Sequence, residues 1–260
     1  MTAPSPVVPR LSAAILLMRS HVQDGSIEVY MVRRHQGSSF VPDVFVFPGG
    51  SVTDADRTGE VTAGVCVPVP TLSEETELGM GVRLAAIREL FEEAGVFLAL
   101  QDNQLIDPAL VASPTYIAYR QQLQQDATTM AEFAATEDLV YATDGLIHFA
   151  HWITPVTFPK RFDTHFFLAE MPAGQVAQFD ATETIGGEWV RPAEALTAYE
   201  QGQFPLVFAT IHQLRDLAIF ATPMDALTSW RGRVPQPVMP HVVQHNGVDT
   251  ILMPGEEAPA

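Results

Sequence analysis

Arg88-Glu89-Leu90-Phe91-Glu92-Glu93-Ala94-Gly95-Val96 is the stretch on which the reading turns. It lies inside an apolar-periodic run, Val82 to Leu100, which predicts a helix. Leu84, Ile87, Leu90 and Phe91 give that helix an apolar stripe, so it must pack against another element. Glu89, Glu92 and Glu93 stand at i, i+3 and i+4 and share one face. Neighbouring carboxylates repel and weaken a helix. A solvated face gains nothing from them, whereas a hard divalent cation does, because it takes oxygen ligands and Mg²⁺ often keeps phosphate oxygens in its shell. Three glutamates alone read best as solvated surface. Arg88, Gly95 and the upstream Pro48-Gly49-Gly50 move the reading to a site.

Upstream, Val44-Phe45-Val46-Phe47 is a short strand that runs into Pro48-Gly49-Gly50. A glycine pair lets the backbone turn sharply and come close to a ligand or a helix. Ser51 to Gly81, between the glycines and the helix, is rich in Thr, Gly, Pro and acids without periodicity, and reads as a long ordered loop over the site. Ser12–Arg19 and Ile27–Arg34 read as an antiparallel hairpin. Residues 1–10 form a Pro-rich arm. Downstream, Pro114–Thr136 reads as helical, with Ser113 as N-cap. Strands are expected at His148–Thr154, Arg161–Met171 and Gly187–Arg191. Helices are expected at Pro192–Gln201, Leu206–Ala221 and Met224–Arg231. The tail, residues 235–260, reads as an extended segment and a hairpin around Asn246-Gly247. Irregular alternation of strands and helices implies a mixed sheet between helices, an α/β fold.

The motif resembles the Nudix box, G-x5-E-x7-R-E-U-x-E-E-x-G-U, with U aliphatic. Its second half matches at every fixed position from Arg88 to Val96. The first half departs. The family's glycine lies 14 positions before the arginine, whereas Gly50 lies 38 before Arg88. Met80 stands where the first glutamate falls, with Glu74, Glu75 and Glu77 nearby and none aligned. Trp152-Ile153-Thr154-Pro155, Pro159-Lys160-Arg161-Phe162-Asp163-Thr164 and Glu188-Trp189 are similar to one Nudix subfamily, the group related to a peroxisomal coenzyme A diphosphatase, which carries a comparable insertion. The resemblance spans about Ala13 to Met224. It implies an α/β/α sandwich over residues 11–234, with the insertion at about 51–81 and extra C-terminal helices. It also implies a metal-dependent hydrolase of a nucleoside diphosphate-linked substrate, coenzyme A or its esters first. An ADP-ribose or NADH pyrophosphatase, or a binding module without turnover, are the alternatives. A homodimer is a family-level expectation.

On this reading Glu89, Glu92 and Glu93 hold Mg²⁺ or Mn²⁺. Glu92 and Glu93 serve catalysis, with Arg88 orienting a carboxylate. Glu183 is the late-loop candidate for general base. Gly49, Gly50 and Arg161 contact substrate, although an ion pair between Arg161 and Asp163 is the plainer reading of that arginine. His148, His151 and His165 lack zinc-type spacing with a cysteine and read as structural.

The charge of −17 without a basic cluster argues against a nucleic-acid polymer as partner. A small phosphorylated substrate stays open, since metal ions can sit between carboxylates and phosphates. No apolar run reaches membrane-spanning length. One cysteine, Cys66, excludes an internal disulfide and accords with a reducing cytoplasm.

Overall fold

The computed structural model describes residues 6–38, 41–57, 63–69, 76–245 and 247–257. Glu74 and Glu75 lie outside them. Strands β1 (Arg10–Ser20) and β2 (Ile27–Arg34) form the expected hairpin, Met18 opposite Val29, and are buried on both faces. β3 (Phe45–Val46) pairs with β2, and β4 (Gly49–Ser51) pairs with β1. The eleven-residue β1 therefore shares one edge between two partners, β4 along its first half and β2 along its second. Gly49 and Gly50 are strand residues rather than the corner of a turn.

Beyond β4 come α1 (Asp54–Arg57) and α2 (Thr76–Ala94), the glutamate-rich helix. It begins six residues before the predicted Val82 and ends at Gly95, whose φ of 66° breaks the helical path. Val96–Leu98 has no regular structure and leads into a three-stranded sheet of β5 (Ala99–Gln101), β6 (Gln104–Leu105) and, later, β7 (Val140–Tyr141). Between β6 and β7 lie α3 (Pro108–Val111), α4 (Pro114–Gln124) and α5 (Met130–Glu137). The single helix expected over Pro114–Thr136 is thus two. Asp126 adopts φ 53°, and Thr129 with Glu132 forms a capping box that starts α5.

β8 (Ile147–Ile153), β9 (Phe162–Glu170) and β10 (Thr184–Val190) complete the large sheet with β11 (Pro237–Val238), in the order β10-β2-β1-β9-β8-β11. β1 runs parallel to β9 and β11 parallel to β8; the other pairs are antiparallel. Helices α6 (Pro192–Glu200), α7 (Phe208–Ala218) and α8 (Pro223–Trp230) follow β10, and β12 (His241–His245) and β13 (Val248–Leu252) form the tail hairpin.

Two cores result, one on each face of the sheet. Ala13, Ile15 and Leu17 of β1 pack with α2 and the helices behind it, and Ala14, Leu16 and Met18 pack with α6–α8. This is strand alternation serving an α/β/α sandwich. Both ends of the described residues are tied to the rest of the fold, and the tail hairpin is the expected one. The arm is tethered by its last residues, since the Arg10 amide donates to Arg161 O and Val7 O accepts from Arg161. The tail joins the main sheet through β11 and buries Leu252.

Candidate active site

Helix α2 turns Leu84, Ile87, Leu90 and Phe91 inward, all at most 1% exposed. With that stripe committed to the core, Glu89 and Glu93 come out beneath β4. The Gly49 amide donates to Glu93 Oε2 at 2.9 Å. A Cβ placed on Gly50 would stand 2.5 Å from Glu89 Oε1, so the strand rests directly on the carboxylates. The glycines are required for this close approach.

Arg88 ties the cluster together. Its Nη1 donates to Glu89 Oε1 (2.9 Å) and Glu92 Oε1 (3.2 Å). Its Nε and Nη2 donate to the two oxygens of Asp56 (3.2 and 3.1 Å), and Nη2 also to Ser51 O (2.9 Å). Asp56 is 2% exposed and also accepts from the Thr53 amide and hydroxyl. It reaches Arg88 because α1 lies against α2 at Gly81, where a Cβ would meet Asp56 O at 2.6 Å. The insertion therefore supplies a fourth carboxylate that the sequence pattern did not reveal.

Burial pushes Glu92 up to about 7, with Arg88 opposing and Glu89 reinforcing the rise. Burial raises Glu89, and burial and Glu89 together hold Glu93 well above the ordinary range. Arg88 stays charged because Glu89, Asp56 and Glu92 outweigh its own burial. One arginine thus faces three carboxylates, while Glu89 and Glu93 repel each other. All donors are hard oxygens in a buried, anion-rich setting, and such a set suits a hard divalent cation.

Across from the helix, the Asp180 amide donates to Glu93 O, and Asp180 Oδ1 accepts from the amides of Thr182 and Glu183. His35 N donates to Glu183 O. These bonds hold the loop that places Glu183 in the same cleft as Glu89 and Glu93. Arg34 of β2 lines this end too, and its buried Nε has no hydrogen-bond partner among the described residues. The cleft holds about 690 Å³. Away from the carboxylates its walls are Trp152, Phe158, Phe162, Phe166 and Phe208, with Lys160 alongside.

The structure thus brings Gly49, Gly50, Glu89, Glu93 and Glu183 to one end of the cleft, and joins Glu92 to them through Arg88. Arg161 is elsewhere. It is 6% exposed, and its guanidinium donates to Thr154 O (3.0 Å) and Val7 O (2.7 Å). Its charge is spent on carbonyls that order the β8–β9 connection and the arm, not on Asp163 and not toward the cleft. Arg34 and Asp56 are the polar residues that sequence reasoning missed. The only signal for Arg34 was its place at the end of a buried strand.

A helix carrying the Arg-Glu-x-x-Glu-Glu pattern, packed beneath a mixed sheet and capped by a glycine pair, defines a Nudix hydrolase. The NUDT19 Nudix domain family matches residues 68–217, more than half of the chain, and the chain belongs to that family. The acyl-coenzyme A diphosphatase NUDT19 of Xenopus laevis is 25% identical over 235 residues, covering 77% of this chain and 62% of that protein. The human acyl-coenzyme A diphosphatase NUDT19 is 26% identical over 262 residues, covering 86% of this chain and 69% of that protein. The chain therefore spans somewhat under two thirds of the frog protein and little more of the human one. The crystal structure of a NUDIX hydrolase from Alicyclobacillus acidocaldarius superposes with a TM-score of 0.74 at 24% identity, covering 85% of this chain and 96% of that one; it supports the fold.

Proposed function

We propose that this Nudix hydrolase cleaves the diphosphate linkage of coenzyme A or its acyl esters, with a divalent cation, Mg²⁺ or Mn²⁺, held by Glu89, Glu92 and Glu93. The observation that carries the reading is the shape of the cleft. It has carboxylates, Arg34 and bare glycine backbone at one end and five aromatic walls along the rest. The polar end suits a diphosphate, and the aromatic end suits a long, largely apolar arm. The names of the frog and human relatives point to the same substrate class.

A bound cation would neutralise phosphate charge and make a water acidic enough to attack at neutral pH. The protein's own groups do the rest. Arg88 holds Glu89 and Glu92 in register and takes its own orientation from Asp56. Arg34 offers guanidinium hydrogens to a phosphate oxygen, which would satisfy its orphaned Nε. Glu183, on the opposite wall, accepts the proton of the attacking water as the new P–O bond forms. The bridging P–O bond then breaks and its electron pair leaves with the departing phosphate.

The test is a substrate panel with Mg²⁺ and with Mn²⁺: coenzyme A, acetyl-coenzyme A, a long-chain acyl ester, ADP-ribose and NADH, with products resolved by chromatography. The expected result is 3′,5′-ADP and a 4′-phosphopantetheine product from the coenzyme A substrates, at the highest kcat/KM of the panel. Equal or better turnover of ADP-ribose overturns the substrate assignment. Binding of coenzyme A with no turnover of any compound overturns the reaction.

A further inference from the structure

On the sheet face turned toward α2, strands β8 and β9 bring three metal-ligating side chains together. Their register sets His151 opposite His165, and Asp163 stands two residues before His165 on the same face. Nitrogen and oxygen atoms of the three lie within 4.8 Å of one another. His151 Nε2 is 2.5 Å from Asp163 Oδ1, and His165 Nε2 is 4.0 Å from that same oxygen. The two imidazoles stack at 4.1 Å between centroids, tilted by 19°. His148 Nε2 is 3.1 Å from His165 Nδ1, so a neighbouring ring fixes His165 and leaves its Nε2 facing the cluster. The side chains of His151, Asp163 and His165 keep 16%, 32% and 19% of their exposure, so an ion has a way in.

A hydrogen-bonded His–Asp pair needs one imidazole. Here a second is stacked on the first, aims its nitrogen at the same carboxylate oxygen, and is held from behind by a third. A metal-binding histidine is commonly oriented in this way by a partner on its other nitrogen. We propose that His151, Asp163 and His165 form a second metal site, separate from the glutamate cluster, that takes a borderline divalent cation of the Zn²⁺ type. Two imidazoles and one carboxylate favour Zn²⁺ over Mg²⁺, which prefers an all-oxygen shell. Three protein ligands leave the fourth tetrahedral position to water. Thr164 and Phe166 alternate with these ligands along β9 and line the cleft from the other face. The ion clamps β8 to β9 behind the cleft's apolar wall.

The test uses the full chain, stripped of metal and titrated with Zn²⁺ in excess Mg²⁺, following bound zinc by dialysis and Tm by calorimetry. One equivalent of Zn²⁺ should bind the unmodified protein and Glu93→Gln alike and raise Tm by several degrees. His165→Ala and the near-isosteric Asp163→Asn should each lose affinity at least about 100-fold, and His148→Ala about 10- to 100-fold. Co²⁺ should give visible absorption of tetrahedral strength that vanishes in Asp163→Asn. Zinc that is lost in Glu93→Gln and kept in His165→Ala places the ion at the glutamates and overturns the proposal. Zinc uptake equal in the unmodified protein and Asp163→Asn, with circular dichroism showing both folded, reduces the cluster to a hydrogen-bond network.

Discussion

Behind helix α2, Phe91, Phe97, Tyr116, Phe133 and Tyr141 interlock ring against ring, with Phe97 and Phe133 5.2 Å apart and nearly parallel. On the other face, α6 packs on β2 and α8 on β1, β8 and β9, and beside them lies a cleft walled by Trp152, Phe162, Phe166 and Phe208. Both regions are aromatic, but the first set of rings is spent on other protein groups and the second borders open volume. Packing of the first kind leaves few voids and little room for the backbone to move. Packing of the second kind leaves surface for something else to cover. The carboxylates stand on the tightly packed side and the apolar walls on the open one, so damage to each should read out differently.

The largest effect should come from Phe133→Ala, a cavity in the closed cluster. It should cost about 3–5 kcal/mol in denaturant unfolding. A cost under about 1 kcal/mol would mean that the cluster collapses readily and is not the rigid platform described here. Glu93→Gln should lower kcat by about 10²–10³-fold or more while Tm holds or rises, because the change removes a buried charge that burial and Glu89 disfavour. A fall in Tm with activity retained would reverse that assignment.

The pH dependence of metal-free protein comes next. Glu92 lies at about 7 when folded against an ordinary 4.5. Below 4.5 it is protonated in both states and costs nothing; above about 7 the folded state carries the full penalty of the buried charge. Stability from this group should therefore fall as pH rises through that window, by about 3 kcal/mol, and saturating Mg²⁺ should flatten the curve. A metal-free Tm that climbs from pH 5 to 7.5 would break the argument. Asp56→Ala should then cost about 10- to 100-fold in metal affinity or rate through Arg88, an effect that Asp56→Glu should not fully repair. The smallest change belongs to the open side. Phe158→Ala should raise KM for an acyl-coenzyme A by up to about tenfold with kcat held, since it removes roughly 1 kcal/mol of apolar contact.

The same contrast accounts for what was legible in the sequence. Glu89, Glu92 and Glu93 could be assigned to one helix face because both their spacing and the apolar stripe of α2 repeat locally. The apolar run predicts helix as far as Leu100 because Val96–Leu98 is continuously apolar, and periodicity does not separate a short buried non-helical segment from a helix. Asp56, Arg34 and the His151–Asp163–His165 cluster depend on which strands lie side by side, and residues 12 or more apart carry no local trace of that. Charge alone offers Arg161 either a substrate phosphate or an ion pair with Asp163, and its burial against two carbonyls shows that a cation in a motif-like stretch can instead be committed to ordering the backbone.

The two glycines of β4 are not equivalent obstacles. A methyl group at Gly49 would collide with the backbone of β1, at Ala13 O and Ala14 Cα, which cannot yield without parting the strands. At Gly50 the three nearest atoms all belong to the carboxylate of Glu89, the far end of a side chain. A carboxylate can swing aside where a strand cannot. Gly50→Ala should therefore produce a well-folded protein whose metal-ligand set has been pushed out of register with every carboxylate still present. That variant uncouples architecture from chemistry at a single carbon atom and is a natural substrate trap for capturing whatever the cleft binds.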